Sequence, residues 1–233
     1  MKGTVLFHVS GTGGDLLSSA WTNDSEIVSA TEAVRINDSG RVVIEWNQFV
    51  LDMFPKQPSK HWYAREWSES ELNTLGNLSK QFFINSTDIE QAKKIKSYFG
   101  NTVSLVGINY VEKQWDYVLD SFCSKVLDSD DYLTKDDVGE NFLNVVAKTT
   151  EERDSFIKMG KNKQLGAWYK ELAVNNLVQF PPKSSKLDFD ISVELVDLFT
   201  YETFTNVVTT QLQRPLTQSL ISLYKHWLPK QKI

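Results

Sequence analysis

Short apolar runs alternate along the chain with segments whose apolar residues recur at helical spacing. The first run, Val5–Val9, is continuous and leads into a glycine-rich stretch. Two further runs, Gln81–Ser86 and Thr102–Tyr110, enclose the segment Ile89–Tyr98, in which apolar residues recur every three or four positions. Continuous apolar runs predict buried strands, and the helical spacing predicts an amphipathic helix. Strands joined by helices of this length predict right-handed crossovers and a parallel sheet with helices on both faces.

Residues typical of turns and helix ends mark the borders of these segments. Asp88 is placed to cap the helix between the two later runs, and Gly100 is placed to end it. Ser68 and Glu71 have the spacing of a capping box, which predicts another helix start. The stretch VRINDSGRVVIEW predicts a hairpin, because the turn sequence DSG separates two apolar runs.

The second half of the chain contains more helix than strand. Trp115–Phe122 carries apolar residues on one face, and a helical stretch over about residues 149–176 is expected to break near Gly160 or Gly166. The run FDISVELV predicts one more strand. The segments YETFTNVVTTQL and LTQSLISLYKHWL predict two amphipathic helices with Pro215 between them.

The composition is that of a globular protein in a reducing compartment. The chain has 233 residues, of which 41% are hydrophobic and 24% charged, and its net charge of −5 argues against broad nucleic-acid binding. No run approaches the about 20 apolar residues of a membrane helix. The single cysteine, Cys123, excludes an internal disulfide, and its apolar neighbours predict a buried thiol. We therefore expect a cytoplasmic protein without nucleic-acid or membrane partners. Residues 1–233 are expected to form one domain, a three-layer α/β/α sandwich with a central, mostly parallel sheet.

The stretch SGTGGDLLSSA after the first apolar run has the chemistry of an anion-binding loop. Gly11, Gly13 and Gly14 allow backbone conformations that a Cβ forbids. Asp15 is placed to cap a helix that begins with Leu16. Unpaired backbone N–H groups and the positive end of the helix dipole converge where a strand, a glycine loop and a helix start meet. The segment therefore predicts a site for phosphate or a related anion.

Two familiar phosphate-binding motifs fit this segment poorly. A Walker A loop needs a lysine, and none lies between Lys2 and Arg35, which argues against hydrolysis of ATP or GTP. The dinucleotide-binding motif Gly-x-Gly-x-x-Gly has its first two glycines at Gly11 and Gly13, but Leu16 occupies the position of the third. A Rossmann-type nucleotide binder stays an alternative. It requires the first strand in the centre of the sheet and an acidic residue at the tip of the next strand.

The segment Gly11–Leu17, read as Gly-Thr-x-x-x-Leu-Leu, resembles the phosphosulfate-binding loop of the sulfotransferases, which share the P-loop fold without the Walker motif. The run FFINSTDIEQAKKIKSYFGNTVSLVGINY resembles the second strand, the helix and the third strand of that family. DISVELVDLFTYETFTNVVTTQLQRPL resembles its late strand and the helix that follows. The resemblance implies a P-loop-type fold and the cofactor phosphoadenosine phosphosulfate (PAPS). The residues implied to bind this cofactor are Gly11, Thr12, Gly13, Gly14, Asp15 and Leu16.

The resemblance also implies residues that bind the 3′-phosphate of the nucleotide. After its third strand the family places an arginine and, eight residues later, a serine; Lys113 and Ser121 have this spacing. Lysine keeps the charge of arginine but not its planar fork. Lys161 and Lys163, in a later basic segment that contains glycine, are further candidates.

The resemblance points to a general base that deprotonates the acceptor. Many sulfotransferases use a histidine after the second strand, where this chain has Ser86, and others use a glutamate near the end of an early strand. Glu45, at the end of RVVIE, and His61, in a predicted loop, are the candidate bases. His8 is expected inside the first strand as a core histidine, and His226 is expected to be structural.

Two functions of different classes are compatible with these features. One is a sulfotransferase-like enzyme that passes the sulfuryl group from PAPS to a hydroxyl or amine of a small molecule or glycan. The other is a catalytically degenerate module that keeps the fold for binding or assembly and uses its terminal amphipathic helices as a partner surface. The glycines favour the enzyme. The shortage of cations and the carboxylate of Asp15, which repels an anion, favour the module.

Overall fold

The computed structural model of the chain describes residues 1–31, 33–36, 42–45, 50, 52, 66–127, 133, 137–160, 165–178 and 180–227. Its strands are β1 (Gly3–Phe7), β2 (Ile27–Ser29), β3 (Ala33–Ile36), β4 (Val42–Glu45), β5 (Gln81–Ser86), β6 (Val103–Asn109) and β7 (Ile191–Glu194). Its α-helices are α1 (Gly14–Thr22), α2 (Glu69–Gly76), α3 (Ile89–Phe99), α4 (Trp115–Phe122), α5 (Asp137–Val146), α6 (Thr150–Gly160), α7 (Leu165–Val174), α8 (Tyr201–Asn206) and α9 (Gln218–Trp227). Short 3-10 turns lie at Gly100–Thr102, Glu112–Gln114 and Leu195–Leu198, and π-helical turns lie at Cys123–Leu127 and Val207–Gln211.

β1 lies in the middle of a five-stranded sheet in which neighbouring strands run parallel. The strand order is β2–β5–β1–β6–β7, and Val5 of β1 lies opposite Ile84 on one side and Leu105 on the other. All five residues of β1 are buried. The predicted α/β class with a parallel central sheet is therefore confirmed. The predicted hairpin is also confirmed, as the separate antiparallel pair β3–β4.

Helices cover both faces of the sheet. On one face the Trp21 ring of α1 stacks on Phe83 of β5, with ring centroids 4.9 Å apart. On the other face Phe99 of α3 packs on Phe82, with centroids 5.0 Å apart. Successive residues of a strand point to opposite faces, so α1 and α3 lie on opposite sides of β5. The arrangement is consistent with the expected three layers of helix, sheet and helix.

Two predicted helix starts are confirmed, and one is wrong. Ser68 and Glu71 form the capping box at the start of α2, and the Asp88 side chain caps α3. Asp15 does not cap α1. The N-cap of α1 is Gly13 in the left-handed conformation, and Asp15 is the second residue of the helix. Because glycine adopts this conformation without steric cost, the helix begins two residues earlier than predicted.

The first strand also ends earlier than predicted, at Phe7 rather than Val9. The carbonyl of Val9 accepts the Thr12 amide at 3.1 Å and the Thr12 hydroxyl at 2.7 Å. These two bonds place Val9 in the turn that follows the strand. His8, which was expected inside the strand, instead follows it and is buried.

The elements predicted for the second half of the chain are present in the structure. The long helical stretch is present as α6, whose described part ends at Gly160, and α7, which is described from Leu165, and Pro215 lies between the last two helical segments. A second cluster of buried residues forms around the rings of Phe122, Phe142 and Tyr169. Cys123 is buried in this cluster, as predicted. Within the described ranges, no helix is both long and apolar enough to cross a membrane.

Arg214 joins the segment before α9 to the end of α1. Its Nε donates to the carbonyl of Ala20 at 3.3 Å, and its guanidinium pairs with Asp24 just beyond the helix. Only 15% of the Arg214 side chain and 25% of the Asp24 side chain are exposed. Partly buried ion pairs are screened by salt less than exposed ones. This contact therefore holds the C-terminal helices against α1.

Replacing Arg214 with glutamine is expected to destabilise the protein measurably. The change removes the charge partner of Asp24 and leaves that carboxylate largely shielded from water, which costs about 1–3 kcal/mol of unfolding free energy. Urea denaturation followed by tryptophan fluorescence measures the loss. The control is Lys93→Gln, which removes an exposed ion pair with Glu90 and is expected to cost about 0.5 kcal/mol or less. Equal losses in the two variants would contradict the role of Arg214.

Candidate functional site

The loop between β1 and α1 is a tight turn fixed by its own backbone. Gly11 has φ of 95° and Gly13 has φ of 82°, values that favour glycine. Thr12 between them is fully buried and donates both its amide and its hydroxyl to the Val9 carbonyl. The loop therefore holds one shape, with Gly13 turning the chain into α1.

The loop presents backbone amides at the start of α1. The N-cap Gly13 receives no hydrogen bond from a side chain. The Leu17 amide donates to the Gly13 carbonyl at 3.1 Å, but in the part of the chain that the structure describes no backbone carbonyl accepts the amides of Gly13, Gly14 or Leu16. Such amides, at the positive end of a helix dipole, attract an anion. Asp15, on the exposed surface of the same turn, adds a negative charge beside them.

Close packing from three directions holds this loop. A Cβ added to Gly11 would lie 2.6 Å from the Val118 carbonyl of α4, and one added to Gly13 would lie 2.9 Å from the Trp227 ring of α9. A Cβ on Gly14 would overlap the His8 ring. Contact with surrounding groups therefore excludes a side chain at all three glycines, and the positive φ disfavours one at Gly11 and Gly13 as well. The loop shape depends on α4 and α9 as well as on its own sequence.

β1 and β6 are neighbours in the sheet, and the segments that follow them run toward opposite edges of the sheet. The glycine loop lies at this position. The chain after β1 passes through α1 to β2, at one edge of the sheet, and the chain after β6 leads to β7, at the other edge. In open α/β sheets, ligands bind between such strands, outside their carboxyl ends. The loop after β1 and the turn Glu112–Gln114 after β6 border this position.

The two residues suggested for the 3′-phosphate lie on elements that follow β6. Lys113 is exposed in the turn Glu112–Gln114, and no carboxylate of the described residues pairs with it. Ser121 is half-buried on α4, the helix that contacts Gly11, and it shares a hydrogen bond with the Tyr117 hydroxyl. Burial raises the pKa of Tyr117 to about 12, against the lowering effect of that bond. The fold thus brings the Ser121 helix against the loop and sets Lys113 at the same edge of the sheet.

An aromatic group flanks the loop. Tyr117 of α4 contacts Phe199 edge-on at 5.0 Å between ring centroids, and Phe199 stacks near Trp227 at 6.4 Å. We call Tyr117, Phe199 and Trp227 the aromatic wall. Because Trp227 also packs against Gly13, the wall borders the loop directly. Flat aromatic surfaces of this kind stack on nucleobases.

The candidate bases are less well placed by the described residues. Glu45 is the last residue of β4 and lies opposite Ala33 in the hairpin, outside the central sheet. His61, Lys161 and Lys163 lie outside the described residues. The assignment of a base to Glu45 or His61 stays a prediction.

Sequence reasoning overlooked three residues around the loop. His8 packs on Gly14, with its Nδ1 3.3 Å from the Val9 carbonyl, and Trp227 packs on Gly13. Asn85, near the end of β5, is buried, and its carboxamide is unpaired among the residues that the structure describes. The signal for Asn85 was a polar residue inside the apolar run FFIN. No local signal connects Trp227 with Gly13, because the contact joins distant parts of the chain.

Replacing Gly13 with alanine is expected to destabilise the protein by about 1–2 kcal/mol from the left-handed backbone alone, with a further loss from contact with Trp227. The further loss should shrink when Trp227→Leu is combined with Gly13→Ala, because the obstructing ring is then gone. Unfolding free energies of the two single variants and the double variant form a cycle that measures this coupling. Strictly additive losses would show that the ring does not constrain Gly13.

Neither a protein-family model nor a curated protein matches this chain. The function is therefore argued from the geometry of the loop and its surroundings.

Proposed function

We propose that the protein is a sulfotransferase-like enzyme of the P-loop type, which binds PAPS and transfers its sulfuryl group to a hydroxyl or amine. One observation carries the proposal: the amides of Gly13, Gly14 and Leu16 have no backbone acceptor among the described residues and lie at the start of α1. The loop follows the central strand at the point of the sheet where α/β proteins bind ligands. This position supports a nucleotide site.

The chemistry of sulfuryl transfer suits a site built from backbone donors. The bond between sulfur and the bridging phosphate oxygen of PAPS breaks, and a bond forms between sulfur and the acceptor oxygen or nitrogen. The acceptor proton passes to a base, for which Glu45 and His61 are the candidates, and phosphoadenosine phosphate leaves. Charge on the transferred oxygens must be stabilised, and fixed amides do so without reorganisation.

The neighbouring residues supply other parts of a nucleotide site. The exposed ammonium of Lys113, which pairs with no carboxylate of the described residues, and the hydroxyl of Ser121 are suited to the 3′-phosphate. The aromatic wall supplies a flat apolar surface for the adenine base. Together with the loop amides, these groups match the anionic and aromatic parts of PAPS.

A second candidate function is a binding module without transferase activity. The specific observation that favours it is Asp15, an exposed carboxylate in the turn that presents the amides, together with the lack of lysine in the loop. Such a module keeps the loop amides for an anion but does not turn over PAPS. The two functions differ in whether incubation with PAPS and an acceptor releases phosphoadenosine phosphate.

Titration with phosphoadenosine phosphate tests the nucleotide site directly. A ligand that binds the folded state raises the melting temperature, and the rise grows with ligand concentration. We expect a rise at millimolar ligand and a smaller one for Lys113→Gln. The matched control is Lys158→Gln, at the exposed end of α6, which should respond like the wild type. No rise in the wild type at millimolar ligand would reject the proposed function.

Replacing Asp15 with asparagine is expected to tighten the binding of phosphoadenosine phosphate by about two- to fivefold, because a charge that repels the ligand at the helix start is removed. The gain should diminish at high ionic strength, since the interaction is screened. Isothermal titration calorimetry at two salt concentrations measures it. Glu151→Gln, which removes a first-turn acid from α6, is the control and should leave the affinity unchanged. Unchanged or weaker binding by Asp15→Asn would place the ligand away from the start of α1.

A further inference from the structure

Asn85 is a buried polar residue whose side chain finds no hydrogen-bond partner among the described residues. Its exposed fraction is 1%, and within the described part of the chain neither Oδ1 nor Nδ2 is paired. Most buried polar side-chain atoms in proteins are hydrogen-bonded, and leaving one unsatisfied destabilises the folded state. Packing alone therefore does not explain why a carboxamide occupies this buried position.

The strand geometry directs Asn85 toward the start of α1. Phe83, two residues earlier in β5, stacks on Trp21 of α1, and residues two apart in a strand share a face. Two strand residues advance about 6.6 Å toward the carboxyl end of the sheet, which equals about four residues of helix. Because α1 runs back from that end, four residues before Trp21 is Leu17. Asn85 therefore lies on the face of the sheet that α1 covers, at about the level of the first turn of that helix.

A second asparagine at the same end of the sheet shows a contrasting arrangement. Asn109, the last residue of β6, accepts the Leu187 amide at 3.2 Å and donates to the Leu187 carbonyl at 3.4 Å. The protein thus satisfies one buried carboxamide at this edge with its own backbone. The other, Asn85, has donors and an acceptor that no described residue uses.

We propose that Asn85 is a ligand-binding residue: its Nδ2 donates to an oxygen of the anion held by the loop amides, and its Oδ1 accepts a hydroxyl of the same ligand. The inference rests on the proposed function only in taking a phosphate or sulfate group as the occupant of the loop. A neutral carboxamide suits this position because it adds donors without a charge that would be costly to bury. It partly replaces the lysine that the loop lacks.

Two variants of Asn85 separate binding from structure. Asn85→Leu removes an unsatisfied buried amide at similar volume, so its melting temperature without ligand should equal or exceed that of the wild type. Its affinity for phosphoadenosine phosphate should fall about tenfold or more, the effect of losing a hydrogen bond to a charged group. Asn85→Asp keeps the size of the side chain but faces the anion with a carboxylate, so it should bind more weakly still. Asn109→Leu is the control, with a lower melting temperature and near-normal affinity.

Calorimetric titration with phosphoadenosine phosphate and with inorganic phosphate distinguishes the outcomes. If the wild type binds the nucleotide and both Asn85 variants bind it within about twofold, the role of Asn85 is overturned while the proposed function stands. If the wild type binds inorganic phosphate but not the nucleotide, and the Asn85 variants lose phosphate, the role of Asn85 is supported and the proposed function fails. If the wild type binds neither, both fall.

Discussion

The position of β1 in the middle of a parallel sheet determines the rest of the structure. β1 pairs with β5 on one side and with β6 on the other, and all five of its residues are buried. Because helices cover both faces of the sheet, most of these residues are apolar. A parallel sheet places every carboxyl end at one edge. The glycine loop after β1 therefore opens at the centre of that edge, bordered by the segments that follow its neighbours. An edge strand with the same loop would have only one such neighbour.

The loop combines attraction and repulsion for an anion within a few residues. Fixed amides and the helix dipole attract negative charge, the exposed Asp15 repels it, and no basic residue lies in the loop. Neutral donors have an advantage here, because they need no counter-ion when the site is empty of ligand and require no change in protonation. The carboxamide of Asn85, unpaired among the described residues, is another neutral donor group on the face of the sheet that α1 covers.

Local sequence features predicted the elements well and the site only partly. The capping residues Ser68 and Asp88 and the apolar runs of β5 and β6 act within a few residues, so the sequence displays them directly. The error at Asp15 arose because two possible caps, Gly13 and Asp15, lie only two residues apart, and only the observed backbone reveals that Gly13 is left-handed. The packing of Trp227 and His8 on the loop depends on tertiary contacts that no short pattern records. Short sequence patterns identify neither the ligand nor the general base.

The contact between Trp227 and Gly13 has a consequence for how the protein is made. β1 and its loop leave the ribosome about 200 residues before α9 and the guanidinium of Arg214. Until α9 docks, Gly13 lacks its contact with the Trp227 ring, whereas the bonds of Thr12 to Val9 and the packing of α4 on Gly11 join segments that are synthesised earlier. A nascent chain can therefore form the first strands and helices before the loop has all of its contacts. One of those contacts is added by α9, the element farthest from the loop along the described chain.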